Sequence, residues 1–507
     1  MLCSRIDFDD APVIVVLMSV HPSQSSSSAT REVRLQKLAK LQELGVVPYA
    51  YSWQRSHTTA QALEQFEELS QSGKEVRVAG RLMSRREHGK TQFGHIQDDA
   101  GRLQLYLRKD TLGELAFGRL ELLDIGDLVG ARGELFKTRT GEVTVHVREL
   151  VLLAKSLRPL PEKFHGLKDV ETRYRQRYLD LLVNPDARRV FRVRTRIVSL
   201  IRQFLDNRGF VEVETPVLQP IYGGAAARPF ATFYNVLEQR MFLRISDELY
   251  LKRLIVGGLE RVYEIGKDFR NEGLDRFHNP EFTQLELYQA YADYNDMMAL
   301  VEELFAFLAK ELSGRTEIEF GKHTLDLGRP WRRLQFGAAL AERIEADPLK
   351  LSREMLIKVA ARFGIETTAA ISRAKLLDKL FSELVQKSII DPTFVLDYPK
   401  VTTPLAKTHR ANPELVERFE PIICGLELGN AFSELNDPLE QRRRFEEGVA
   451  QNEEFATVDE DYCTALEYGL PPTGGLGLGI DRLAMVFANQ DSIRDVILFP
   501  QLRPQQE

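Results

Sequence analysis

The sequence predicts an α+β protein in which a small β-barrel precedes a larger mixed domain. Three observations carry this. The 507 residues exceed what one hydrophobic core usually organises. From about Val76 to Leu153 apolar residues recur with period two. Beyond residue 158, strand-like and helix-like runs alternate irregularly to the end without an internal repeat, the pattern of an α+β domain. A chain that is 43% hydrophobic and 28% charged has a globular composition, and no apolar run reaches the roughly 18 residues that span a bilayer.

Residues 1–30 read as a disordered leader. Ala11 to Val20 is apolar, but Asp7, Asp9 and Asp10 precede it, where a signal peptide carries positive charge. His21 to Thr30 is serine-rich and expected to be disordered. Residues 31–157 form the front domain. It begins with a helix carrying Leu35, Leu38, Leu41 and Leu44 on one side, ended by Gly45 and Pro48. Strands follow. Leu103, Leu105 and Leu107 alternate with Gln104, Tyr106 and Arg108, and Val143, Val145 and Val147 with Thr144, His146 and Arg148. Turn signals fall at Gly89-Lys90, Asp98 to Gly101 and Thr140-Gly141. About five short strands suit a small closed barrel, of which the OB-fold is an economical form. Arg158-Pro159-Leu160-Pro161 reads as a stiff linker, and residues 158–507 as the second domain. There Ile197, Leu200, Ile201, Phe204 and Leu205 form a helical stripe that Gly209 terminates.

Residues 31–160 are net basic and residues 161–507 net acidic. That asymmetry fits a polyanion touched by the front domain, although the excess is modest enough for ordinary scatter. Cys3, Cys424 and Cys463 lie far apart and match no zinc spacing, which points to a reducing cytoplasm and no structural metal cluster.

Familiar phosphate motifs are absent. Gly89-Lys90-Thr91 lacks the earlier glycine of a P-loop. The run Gly475 to Gly479 lacks the dinucleotide spacing and by itself reads as a flexible turn. More informative is a strand from Val262 to Phe269 that delivers Arg270-Asn271-Glu272. His278 to Phe282 and a second apolar strand through Leu287 come next. Farther on, Gly479-Ile480-Asp481-Arg482 opens a helix. Two arginines so placed could clamp a polyphosphate, because guanidinium offers paired donors and keeps its charge. Taken singly, each reads as a surface ion pair.

Gly209 to Pro216 resembles motif 1 of the class II aminoacyl-tRNA synthetases, Phe269 to Glu272 resembles motif 2, and Gly479 to Arg482 resembles motif 3. All three occur in order behind a barrel. Arg175 to Leu181, Gly223 to Phe230, His278 to Phe282 and Gly429 to Asp437 narrow the resemblance to bacterial-type class II lysyl-tRNA synthetases, over about residues 31–504.

The resemblance implies a mostly antiparallel catalytic sheet flanked by helices, an anticodon-binding OB barrel, and a reaction of ATP with L-lysine followed by transfer to tRNA(Lys). It implies that Arg270 holds the α-phosphate and the lysine carboxylate. Phe282 stacks on adenine, Glu272 accepts from its amino group, His278 adjoins ATP and Arg482 grips the γ-phosphate. Glu427 and Glu434 bind Mg2+; whether a helix or a strand-turn-strand brings them together is left open by their spacing. Glu248 takes the α-amino group, Gly224 borders the substrate, Asn430 and Glu434 assist, and Glu286 with Tyr288 meets the ε-ammonium. These last two share a strand face, where Glu286 alone reads as a wet surface carboxylate. Phe93 is implied as the anticodon stacking platform, with Arg85, Gln97 and Glu142 reading base edges. A cytoplasmic homodimer is expected, with Pro216 near the contact and the Ile197–Leu205 stripe available for burial. Aspartate enzymes of the same subclass carry an arginine where Glu434 stands. The related ligase that lysylates a translation factor lacks the barrel.

Overall fold

The structure, a computed structural model, describes residues 22–161, 167–328, 330–368, 371–450 and 457–505. It divides into two compact units, Met1–Gly166 and Leu167–Glu507. Most of the expected leader lies outside the described residues. From Pro22, however, the chain is a helix running to Glu43, where disorder was expected as far as Thr30. Proline is tolerated in a first helical turn and serine is only mildly unfavourable within a helix, so the serine-rich run does not block it.

In the first unit five strands close a barrel in the order β1-β2-β3-β5-β4. They are β1 (Val76–His88), β2 (Thr91–Gln97), β3 (Arg102–Arg108), β4 (Leu128–Lys137) and β5 (Val143–Ala154). All pairings are antiparallel except β3 with β5. Period two fills the interior with Val78, Leu82, Ile96, Leu103, Leu105, Val129, Val145 and Val147. Below it Lys155, fully buried, pairs with Asp124 at 2.5 Å and Asp127 at 2.8 Å. A charge without water needs such partners. Arg34 ties the N-terminal helix to this base, donating to the carbonyls of Ile125, Ser156 and Arg158. The start of the expected linker is therefore pinned to the barrel.

The second unit is built on a mostly antiparallel sheet. Its strands run in the order Arg332–Gln335, Thr393–Pro399, Leu415–Ile423, Gly429–Ser433, Thr473–Gly479, Glu281–Ala290, Arg261–Phe269, Val211–Glu212. Only the outermost pair at each end is parallel. Helices Pro185–Asp206, Tyr294–Ser313 and Ile480–Ala488 join one apolar core. Helices Glu248–Val256, Phe336–Ile344, Arg373–Leu384 and Glu460–Glu467 join a second. Ile197, Leu200, Ile201, Phe204 and Leu205 are buried in the first core, each contributing roughly 1.5–3 kcal/mol. The stripe expected to serve a dimer is thus used within the subunit. Among the described residues no helix is long and apolar enough to cross a membrane.

Candidate active site

A cavity of about 520 Å3 opens on the sheet of the second unit, with Arg270 and the Arg482–Glu427 pair towards one end and Glu248, Glu286 and Glu434 towards the other. Arg270 follows the strand Arg261–Phe269 directly. Its backbone N–H donates to Pro280 at 2.8 Å, which draws the chain ends of the hairpin together. Its guanidinium lies 5.0 Å from the Phe282 ring centroid, and its Nε has no hydrogen-bond partner among the described residues. Asp481, at the start of the helix Ile480–Ala488, accepts from Thr283 N–H at 2.7 Å and pairs with Arg194. It thereby fixes Arg482 relative to the Phe282 strand. Arg482 donates to the Glu427 carbonyl at 2.6 Å and to His278 Nε2 at 3.2 Å. His278 Nδ1 faces Asp275 at 2.7 Å, so the bonds are consistent when Nδ1 carries the proton. Glu272 is exposed at the cavity rim.

At the opposite end Glu286 and Tyr288 share one strand face. Tyr288 Oη donates to Glu286 Oε2 at 3.0 Å, and Gln284 Nε2 donates to Oε1. Glu286 is 7% exposed, so the wet-face reading of this carboxylate fails. Burial first, then the charges of Glu248 and Asp268, push its pKa up to about 8. Glu434 is also raised to about 8, by burial and by Glu248, against the opposing pull of Lys252. Burial raises Glu248 as well. Gly224 lines the cavity near these groups. Three carboxylates crowded away from water make this end a receptor for cations.

The glycine run is the strand between these acids, not a flexible turn. Gly475 and Gly477 pair with Tyr288 and Glu286 on one side and with Phe432 and Asn430 on the other. A Cβ on Gly477 would lie 2.6 Å from Glu286 Oε1, and one on Gly475 2.6 Å from the Tyr288 ring. The glycines leave room for neighbouring side chains to lie across the strand.

Glu427 and Glu434 do not converge. They flank the extended segment containing Gly429–Ser433, and at about 3.3 Å per residue their backbones stand on the order of 20 Å apart. Glu434 faces Lys252. Glu427 instead faces Glu420 across a hairpin in which Ile422 pairs with Glu427. Burial, then the Glu427 charge, lifts Glu420 to about 7, with Arg418 opposing. Glu420 accepts from Tyr398 Oη at 2.6 Å and pairs with Arg418 at 2.5 Å. Arg418 also donates to Asn430 Oδ1 at 2.8 Å. Sequence reasoning missed Glu420; the turn at Cys424-Gly425 between the two glutamates was the available signal. Two carboxylates fit Mg2+, which uses one or two together with substrate phosphates.

On the barrel, Phe93 stacks on Tyr106 with centroids 4.7 Å apart. Glu142 holds His95 at 2.8 Å and Gln104 at 2.7 Å. Arg85 and Gln97 do not join this patch as free readers. A bulge between Leu82 and Ser84 shifts the register of β1, and a one-residue shift exchanges faces. Arg85 consequently pairs with the inward Gly94 and donates to the carbonyls of Leu120 and Leu123. Exposed Arg86 stands opposite Phe93. Gln97 accepts from Arg102 at 2.8 Å. Exposed Arg86 is what the outward face supplies instead, and Gln104 lies beneath that face, buried and held by Glu142 and Thr144.

Residues 169–503 match the tRNA synthetases class II (D, K and N), and residues 76–153 match the OB-fold nucleic acid binding domain. The chain belongs to the class II tRNA synthetases of the D, K and N group. Among its relatives is the lysine–tRNA ligase of Moorella thermoacetica, 54% identical over 94% of this chain and 98% of that protein. The lysine–tRNA ligase of Carboxydothermus hydrogenoformans is 51% identical over 93% and 98%. That of a Roseiflexus species is 53% identical over 94% and 98%.

Proposed function

We propose that this chain activates L-lysine with ATP to lysyl-adenylate and transfers the lysyl group to the 3′ end of tRNA(Lys), releasing AMP and pyrophosphate. The observation that carries this is the cavity itself: Arg270, Phe282 and Arg482 at one end, Glu248, Glu286 and Glu434 at the other. The names of the relatives point the same way.

Arg270 would hold the α-phosphate and the amino-acid carboxylate, bringing two anions together and stabilising charge as the carboxylate oxygen attacks phosphorus. Its unpartnered Nε supports that task. Phe282 would stack on adenine, Glu272 would accept from its amino group, and Arg482, oriented by His278, would hold the γ-phosphate. Glu248 would receive the α-ammonium, with Gly224 allowing close approach. Glu286, Tyr288 and Glu434 would receive the ε-ammonium, and Asn430 would adjoin the carboxylate. No side-chain nucleophile is needed, since the substrate carboxylate and then the tRNA hydroxyl attack. Glu420 and Glu427 would hold Mg2+, which neutralises phosphate charge when bound.

The barrel would read the anticodon with Phe93, Glu142 and Arg86; stacking on an aromatic ring contributes roughly 1–3 kcal/mol. A homodimer is supported by an exposed apolar surface around motif 1: Val211, Val217, Leu218, Phe233, Val236 and Leu237. Such patches mark interfaces. The cytoplasm is the compartment that fits Cys424 and Cys463, which form no disulfide among the described residues.

ATP–pyrophosphate exchange with each of the twenty amino acids tests the assignment. Lysine is expected to support exchange far above the rest. Faster exchange with aspartate or asparagine would overturn it.

A further inference from the structure

The acidic end of the cavity has more carboxylates than its proposed substrate has ammonium groups. Glu248, Glu286 and Glu434 line it, while L-lysine brings two cations. A third cation stands behind the wall. Lys252, one turn after Glu248 on the helix Glu248–Val256, is 0% exposed. Its Nζ lies 2.5 Å from Glu248 Oε1 and also meets Glu434. The ring centroids of Phe432 and Tyr288 are 5.4 and 5.8 Å away, in range for a cation facing aromatic rings. Burial favours the neutral amine, but Glu248 and Glu434 outweigh it and the pKa rises, so Lys252 is charged.

The surrounding groups do not change this balance. Tyr462, from the helix Glu460–Glu467, faces Lys252, and its hydroxyl has no hydrogen-bond partner among the described residues. Arg253 turns instead to Asp459 at 2.8 Å and Asp461 at 3.1 Å. Beyond Glu286, Arg244 is occupied by Glu264 at 2.5 Å and Asp268 at 3.2 Å. Burial holds the Asp247 carboxyl well up towards its neutral form. Among the described residues, Lys252 is the one lysine or arginine paired with Glu248 or Glu434.

We propose that Lys252 is a built-in counter-ion that leaves the pocket, once its three glutamates are ionised, two positive charges short, so that a diammonium amino acid completes neutrality and a monoammonium one does not. It is a positioning residue, since it acts through Glu248 and Glu434 and lies behind both. The proposal rests on the lysine assignment above. It explains why three glutamates can share a site without one of them being left as an unpaired buried charge when substrate is bound, a state that is costly. It also explains why a lysine side chain is tolerated in a pocket meant for lysine: its Nζ is held below the carboxylates rather than in the cavity.

The test is a double-substitution cycle in the full-length protein, with KM and kcat for lysine and for ATP measured by pyrophosphate exchange. Wild type is measured first. Failure to use lysine would remove the assignment and the proposal with it. Lys252→Gln is expected to raise the lysine KM about ten-fold or more, with the ATP KM within about three-fold, as for loss of one partner of a buried charge pair. Glu434→Gln is expected to do likewise. The double variant is expected to lose about five-fold less than the product of the two single losses, because charge balance is restored. Losses that simply multiply would overturn the proposal, as would an unchanged lysine KM in Lys252→Gln or equal losses for lysine and ATP. Thermal melts check folding. If Lys252→Gln does not fold but the double variant does, the balance itself is demonstrated. If neither folds, Lys252 has a packing role only and the proposal is overturned.

Discussion

Replacing Glu286 by alanine removes the acceptor of two hydrogen bonds, a buried one from Tyr288 Oη at 3.0 Å and a part-buried one from Gln284. At 7% exposure the site offers little water to take its place. An ε-ammonium bound there would lose its charge partner, a change that costs about 2–5 kcal/mol, or roughly thirty-fold to several-thousand-fold in kcat/KM for lysine. One effect works against the full loss. With its pKa near 8, Glu286 must give up a proton at pH 7 before it pairs, which offsets on the order of 1 kcal/mol. The expected loss at pH 7 is therefore about 1–4 kcal/mol, roughly five-fold to nearly a thousand-fold. The ATP KM should change little, because Arg270, Phe282 and Arg482 remain. Glu286→Gln keeps an acceptor for Tyr288 and should melt close to wild type while still using lysine poorly. Pyrophosphate exchange over a lysine titration, alongside thermal melts, measures all of this. A lysine kcat/KM for Glu286→Ala within about three-fold of wild type, under 1 kcal/mol, would refute the reasoning.

The lysine KM should fall as pH rises from about 6 through 8 and level off about one unit higher, since Glu286 and Glu434 both have pKa values of about 8 and pair with ammonium only when ionised. A carboxyl with a raised pKa stabilises the fold most where it is protonated. The free protein should therefore lose stability as pH rises from about 4.5 through 8, and saturating lysine should lessen that loss; a pH-independent KM would contradict this. Gly477→Ala would press a methyl group against Glu286 and should cost about 1–3 kcal/mol in denaturant unfolding, with lysine use suffering more than ATP use. Glu420→Gln and Glu427→Gln should raise the Mg2+ concentration that half-saturates exchange, whereas Glu434→Gln should not. A larger Mg2+ effect at Glu434 would restore the pairing inferred from sequence. Val236→Asp with Leu237→Asp should convert a dimer to a monomer in light scattering, and a wild type that is already monomeric would dismiss the proposed interface.

Much of the fold was legible because it follows from periodicity. Leu103, Leu105 and Leu107 announce a barrel strand by alternation alone, and the arginines at 270 and 482 sit where the strand and helix patterns place them. What escaped depends on register and on partners far along the chain. Whether Arg85 or Arg86 shares the face of Phe93 is decided by one bulge at Leu82 to Ser84, which propensity does not reveal. Glycines at 475 and 477 gave a turn signal because the large groups that need their space, Tyr288 and Glu286, lie nearly two hundred residues earlier. The resemblance pairs Glu427 with Glu434, yet a strand separates those two and a hairpin turns Glu427 towards Glu420. The apolar face of Pro185–Asp206 shows that a stripe will be buried, and is silent on whether its own subunit or another buries it.

Asp481 has a metric consequence. It binds the backbone of Thr283, next to Phe282, while its covalent neighbour Arg482 extends towards the cavity. The backbones that carry the ring and the guanidinium are thus tied by one hydrogen bond and one peptide unit, and the Arg482 guanidinium is itself held by the Glu427 carbonyl and His278. On the proposed roles this is a molecular ruler for the nucleotide. A triphosphate would bridge both ends, whereas a diphosphate anchored by its base would stop short of Arg482, so chain length would be distinguished by reach rather than by any contact unique to the missing phosphate.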